Sequence, residues 1–299
     1  TKNYASLALK SYTLMSEQSI NQTKIWTALE LLRWGTVYFI EKKIDSPRLT
    51  MELMLCEVLE CSRVQLYMSY EKPLSSNELA KLRVMTTRRA QREPLQYILG
   101  KTEFYGLPFF VDSSVLIPRP ETEILVERVI KSVKESNNEN ISILDIGTGS
   151  GCIAITLAKK LPECRVVGID ISSDALEVAK RNAGLNEVNV EFIRRDVLKE
   201  MKVKQPFEII VSNPPYISSS EMKEIEPELL EHEPHIALTD GNDGLEFYRR
   251  YSELFKDILA IDGEFFVEFG YGQSDDVRRL FTMNFDCTVY NDLADIPIV

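Results

Sequence analysis

Four adjacent residues, Asn213-Pro214-Pro215-Tyr216, close an apolar run, Phe207-Glu208-Ile209-Ile210-Val211-Ser212. Their types fit one chemical task. A planar amide or aryl-amine nitrogen is a poor nucleophile because its lone pair is delocalised. A site that methylates it needs acceptors for both N–H bonds and an aromatic face against the plane. Asn213 offers a side-chain carbonyl and Pro214 a backbone carbonyl, and Tyr216 offers the face. Each proline ring fixes φ near −65° and removes an N–H donor. The same residues also read as a proline-punctuated turn after a strand.

A second constellation lies upstream. Leu144-Asp145-Ile146-Gly147-Thr148-Gly149-Ser150-Gly151 follows an apolar strand pattern and opens a helical one. Alternating glycines let a ligand approach the backbone, and a helix start presents free N–H groups. Cys152 stands where a dinucleotide fingerprint places its third glycine. GxGxG behind an acidic residue suits S-adenosylmethionine, which has no pyrophosphate. Asp170 ends the next strand pattern, where it can accept from both ribose hydroxyls; it could instead cap the helix at Ser172 or Ser173. Asp196 ends a third. It could accept from an adenine amino group, with Val197 against the ring, or belong to a turn.

The elements that must carry these residues alternate. Strand patterns cover 141–146, 165–170, 190–193, 207–212 and 264–269, with helices over 152–160 and 173–183, the latter closed by Gly184 as a C-cap. Alternation predicts a parallel α/β sheet with right-handed crossovers. The glycine loop, Asp170, Asp196 and Asn213 then share the carboxyl edge, where open α/β sheets bind ligands. Ahead of this domain the pattern differs. Residues 25–39 place Leu29, Leu32, Thr36 and Phe39 at helical spacing. Ser46-Pro47 opens a helix with Leu49, Leu53, Cys56 and Leu59 or Glu60 on one face, and Ser75 with Glu78 forms a capping box before a helix over 79–91. Short aromatic segments at 95–100 and 104–111 read as extended, a hairpin, and a helix follows through Val133. The expected domains are 1–92, a linker over 93–116, and 117–299.

The 299 residues carry a net charge of −11, with 44% hydrophobic and 27% charged residues. That balance argues mildly against nucleic acid as the main substrate, although Arg83, Arg88, Arg89 and Arg92 form a local basic run, which also reads as a solvated helix face. No apolar stretch approaches a membrane span. The first residues lack a signal-peptide core and an initiator Met, consistent with a processed start. The five cysteines form no CxxC pair and read as reduced cytosolic thiols. His232 and His235 lack further ligands, so no metal site is expected.

With these residues the chain resembles the HemK (PrmC) family of protein-glutamine N5-methyltransferases over nearly its whole length. The resemblance is carried by Pro94-Leu95-Gln96-Tyr97-Ile98-Leu99-Gly100, Phe104-Tyr105-Gly106-Leu107, Ile117-Pro118-Arg119-Pro120-Glu121-Thr122-Glu123, the glycine loop, Asp170-Ile171-Ser172, Asn213-Pro214-Pro215-Tyr216-Ile217 and Asp243-Gly244-Leu245-Glu246-Phe247-Tyr248. It implies a seven-stranded, Rossmann-like class I S-adenosylmethionine-dependent methyltransferase domain, a smaller N-terminal helical bundle and a β-hairpin linker. It implies that Gly147 to Gly151, Asp170, Ile171, Val197 and Asn213 contact the cofactor, which leaves as S-adenosylhomocysteine. It implies that Asn213, Pro214, Pro215 and Tyr216 hold the glutamine of the GGQ loop in class I peptide-chain release factors, with Arg119 and Glu123 also binding substrate. An aromatic residue found in some relatives at the Val197 position is replaced here by aliphatic packing. The last strand is expected to be short or trimmed at Ile298-Val299. A cytoplasmic monomer is expected, its helical N-terminal domain recognising the release factor. Two other classes remain: a nucleic-acid methyltransferase acting on adenine N6 or guanine N2 of a flipped base, and a non-catalytic cofactor-binding protein.

Overall fold

The computed structural model describes residues 25–136, 140–199, 201–291 and 297. The chain divides after Leu99 into two compact units. Among the described residues no helix is long and apolar enough to cross a membrane.

The first unit is helical. Helix α1 (Ala28–Glu41) starts at a reciprocal cap: Glu30 N donates to Thr27 Oγ1, and Thr27 N donates to the Glu30 carboxylate. Pro47 opens α2 (Pro47–Leu59) as expected, but Ser46 adopts a left-handed backbone and its hydroxyl caps nothing. The buried face of α2 also differs from the expected one. Met51, Met54, Leu55 and Val58 point inward, while Leu49 is exposed. The reason is a close helix crossing: a Cβ on Gly35 of α1 would lie 2.3 Å from the Met51 sulfur, so this stripe packs best there. After the short α3 (Arg63–Met68), Ser75 and Glu78 form the predicted capping box of α4 (Ser76–Ala90). The basic run on α4 is not a uniform solvated face. Arg88 pairs with Glu93, and Arg89 is buried and donates to the Glu93 carbonyl. Residues expected to be extended form α5 (Leu95–Leu99), nucleated by the Pro94 carbonyl, which accepts from Tyr97 N and Ile98 N.

The second unit opens with an antiparallel hairpin, β1 (Lys101–Phe104) and β2 (Leu107–Phe110), turned by Tyr105-Gly106. Helix α6 (Thr122–Glu135) leads into β3 (Ser142–Ile146), α7 (Cys152–Lys160), β4 (Arg165–Asp170), α8 (Ser173–Leu185), β5 (Glu191–Arg194) and β6 (Phe207–Ser212). Then come α9 (Pro227–His232), α10 (Glu246–Ile258), β7 (Leu259–Val267) and α11 (Ser274–Phe281). The main sheet is wholly parallel, in the order β5-β4-β3-β6-β7. All five strand patterns read from the sequence are therefore present. The count of seven is not reached in this sheet among the described residues. The hairpin forms a sheet of its own, and after α11 the described residues make only one isolated bridge, Asn291 to Pro297. The short last strand expected at Ile298-Val299 lies outside the described residues. Gly184 lies inside α8 and does not end it; Asn186 caps the helix, its side chain held by the carbonyls of Asn182 and Pro108.

The chain grows outward from β3 to β5, then restarts at β6 on the other side. The carboxyl ends of β3 and β6 thus flank the switch point, where such sheets open a crevice.

Candidate active site

The crevice is a cavity of about 240 Å³. It is lined by the loop after β3 (Gly147, Gly149), the ends of β4 and β5 (Asp170, Asp196, Val197) and the loop after β6 (Asn213, Pro214, Pro215). Ile171, Leu198, Phe247 and Tyr251 add apolar surface.

The glycine loop is held by its backbone. Gly147 N and Thr148 N both donate to the Ile169 carbonyl, at 2.9 and 3.0 Å. Thr148 Oγ1 donates to Asp145 Oδ2 at 2.6 Å, and both residues are buried. The other Asp145 oxygen is buried without a partner, and burial raises this carboxyl to about 7. Gly147 and Gly149 take φ of +74° and +54°, and a Cβ on Gly147 would meet no protein atom within 4 Å. The loop is therefore a bare cradle facing the cavity.

Asp170 ties the glycine loop to the start of α8. Oδ2 accepts from Gly149 N and Oδ1 from Ser172 N, each at 2.9 Å. The carboxylate locks the cradle and the start of α8, and each oxygen keeps a lone pair for a hydroxyl. Burial pushes its pKa up. Asp196 makes a turn, accepting from Leu198 N, and pairs with Lys199 at 3.0 Å. It still lines the cavity beside Val197, whose carbonyl is held by Arg250. A cradle without side chains, two carboxylates for hydroxyl and amino donors, and an aliphatic wall together fit S-adenosylmethionine.

Asn213 is fixed from behind. Its Nδ2 donates to Thr122 Oγ1 at 3.0 Å, and Thr122 Oγ1 donates to Glu268 Oε2 at 2.8 Å. Glu268 follows β7 and is 2% exposed, and the neighbouring Asn213 and Tyr216 side chains act to lower its pKa. Burial, followed by the Glu121 charge, raises it to about 7. Neither Asn213 Oδ1 nor the Pro214 carbonyl has a partner among the described residues. Tyr216 is half-buried and does not line the cavity. Its carbonyl accepts from Gln273 Nε2, and burial raises its phenol.

Arg119 and Glu123 do not line the cavity. Arg119 pairs with the buried Glu233, which also accepts from Ile117 N. Glu123 accepts from Tyr105 N at 2.7 Å, anchoring the hairpin turn. Thr122 and Glu268 were missed by sequence reasoning. Thr122 stands out only as part of the segment Ile117 to Glu123, and Glu268, inside the strand pattern over 264–269, carries no local signal of its own. His232 and His235 join no metal-binding cluster among the described residues.

A parallel α/β domain with a nucleoside-sized cavity beside a fixed amide acceptor defines the methyltransferase class. Comparison with known proteins narrows it. Residues 30–100 match the PrmC N-terminal domain, and residues 120–242 match the methyltransferase small domain. The release factor glutamine methyltransferase of Geobacter sulfurreducens is 42% identical over 267 residues, 89% of this chain and 92% of that protein. That of Flavobacterium psychrophilum is 45% identical over 253 residues, 84% of this chain and 88% of that protein. A methyltransferase of known structure from Pyrococcus furiosus shares 17% identity at a TM-score of 0.48, over 75% of this chain and 96% of that one. The chain belongs to the release factor glutamine methyltransferase family.

Proposed function

We propose that this chain methylates the side-chain amide nitrogen (N5) of the glutamine in the GGQ loop of class I peptide-chain release factors, with S-adenosylmethionine as donor. When bound, the cofactor supplies a sulfonium methyl, already an activated electrophile. The protein's part is then positioning and charge management. In this reading the substrate NH2 group donates to Asn213 Oδ1 and to the Pro214 carbonyl. That turns the nitrogen lone pair toward the cradle, while Tyr216 packs beside the amide plane. The observation that carries this reading is the anchored Asn213 amide. Its nitrogen is committed to Thr122, which leaves its oxygen free to accept, and Asn213 and Pro214 both line the cavity.

Arg119 and Glu123 serve here by shaping the approach, through Glu233 and the hairpin turn. The helical N-terminal unit recognises the release factor, because one glutamine in a cleft cannot select a partner. The enzyme acts as a cytoplasmic monomer, where release factors work. Nucleic acid is not favoured: the net charge is −11 and the named relatives act on a protein.

The test offers methyl-labelled S-adenosylmethionine with release factor, DNA or RNA. Label is expected on the GGQ glutamine alone. Asn213→Ala should abolish transfer while cofactor binding, followed by calorimetry, stays measurable. Near-normal transfer by that variant, or label on nucleic acid, would sink the proposal.

A further inference from the structure

Beyond the residues that touch substrate or cofactor, the cavity has a buried proton chain behind it. We propose that Glu268 is a positioning residue for this reaction: through Thr122 it fixes which end of the Asn213 amide faces the substrate. The inference rests on the function proposed above and deepens it.

Hydrogen-bond polarity sets the orientation. The Thr122 hydroxyl owns one proton and donates it to Glu268 Oε2. Its oxygen must then accept, and the group it accepts from is Asn213 Nδ2. The amide nitrogen is thereby drawn inward, and Oδ1 is left outward as an acceptor. A charged carboxylate enforces this order because it can only accept. A neutral group in its place can donate. The chain can then reverse, with Thr122 donating to Asn213 Oδ1 and the Asn213 NH2 turned outward. That arrangement sets a donor against the substrate's own N–H bonds.

The surroundings make the charge state of Glu268 matter. Facing it are Glu121 ahead of α6, Tyr216 after β6, Tyr248 on α10 and Cys152 at the start of α7. Tyr248 Oη donates to the Glu268 backbone carbonyl, so it fixes the chain but not the carboxylate. Arg119 acts on Tyr216 and forms its ion pair with Glu233. Burial leaves the carboxyl near 7, where modest acidification protonates it.

The experiment uses the full chain with release factor and S-adenosylmethionine. Glu268→Gln should lower kcat about 10- to 100-fold, the scale of one charged hydrogen bond, while cofactor affinity by calorimetry stays within about threefold. The unaltered enzyme should lose kcat on acidification through pH 7, and Glu268→Gln should lack that limb. Thr122→Val should behave like Glu268→Gln, and Thr122→Ser, which restores the hydroxyl, should recover the rate. The Asn213 side-chain NH2 resonances, assigned by their loss in Asn213→Ala, should shift near pH 7 in the unaltered protein but not in Glu268→Gln. Full kcat in Glu268→Gln or Thr122→Val, or NH2 resonances indifferent to pH, would overturn the proposal. Should Glu268→Gln not fold, Thr122→Val carries the test alone. An unaltered enzyme that methylates no release factor refutes the functional reading instead, and the NH2 titration still decides whether the chain exists.

Discussion

Gly244→Ala isolates how tightly the tetrapeptide at 213–216 is braced. Gly244 takes φ of +80°, and a Cβ there would stand 2.2 Å from the Tyr216 carbonyl oxygen and 2.8 Å from Gln273 Nε2. Those two groups are hydrogen-bonded to each other at 2.9 Å. Ordinary contact needs roughly 3.5 Å, so the carbonyl must retreat by about 1 Å. Displacements of that size cost on the order of a hundredfold in rate. Gly244 does not line the cavity, so cofactor affinity should hold. Backbone strain alone costs about 1–2 kcal/mol and must be separated from the steric effect. Gly241 supplies the control: its φ is +78°, and a Cβ there meets nothing within 4 Å. Gly241→Ala should show the strain cost alone in a thermal melt, and Gly244→Ala at least as large a loss. Only Gly244→Ala should lose about two orders of magnitude in kcat, with the Kd for S-adenosylmethionine unchanged. Equal kcat in the two variants would refute the bracing argument.

Two further outcomes follow from the cradle. Gly147→Ala projects a methyl into space that no protein atom occupies; calorimetry should show the cofactor bound at least about tenfold more weakly, and an unchanged Kd would mean that the cradle does not hold it. Asp145 is raised from 3.8 to about 7 by burial, so the folded state holds a proton that the unfolded state has released. Its contribution to stability is complete below about pH 4 and is lost as pH rises toward 7, with a slope of about 1.4 kcal/mol per pH unit. Asp145→Asn should flatten that part of the profile in denaturant titrations; an unchanged slope would assign it to other groups.

What could be read from the sequence divides along physical lines. The five parallel strands were legible because burial on both faces writes near-continuous apolar runs, as in Ile209 to Val211. The ligand edge followed from strand ends, and Gly147, Gly149, Asp170, Asp196, Val197 and Asn213 do converge on one cavity. Capping boxes were legible because they are local, as at Ser75 and Glu78. The face of α2 was not, because it depends on Gly35 admitting Met51. The end of α8 was missed because Asn186 is held by the carbonyl of Pro108, in the hairpin. Glu123 looked chemical from its motif and is an anchor, because the Tyr105 amide it satisfies is close only after folding.

The same limit explains why the segment Ile117 to Glu123 and the tetrapeptide at 213 belong together. Thr122 lies 91 residues before Asn213 and 146 before Glu268. No local periodicity can connect residues so distant, yet the amide orientation depends on all three. An asparagine on a loop has two nearly equivalent orientations, and only a partner of fixed polarity separates them. Thr122 alone cannot do so, because a hydroxyl both donates and accepts. Glu268 breaks the tie because, when charged, it only accepts. The acceptor character of Asn213 is thus a property of the closed chain rather than of the tetrapeptide, and it should vanish when any one of the three groups loses its place in the order.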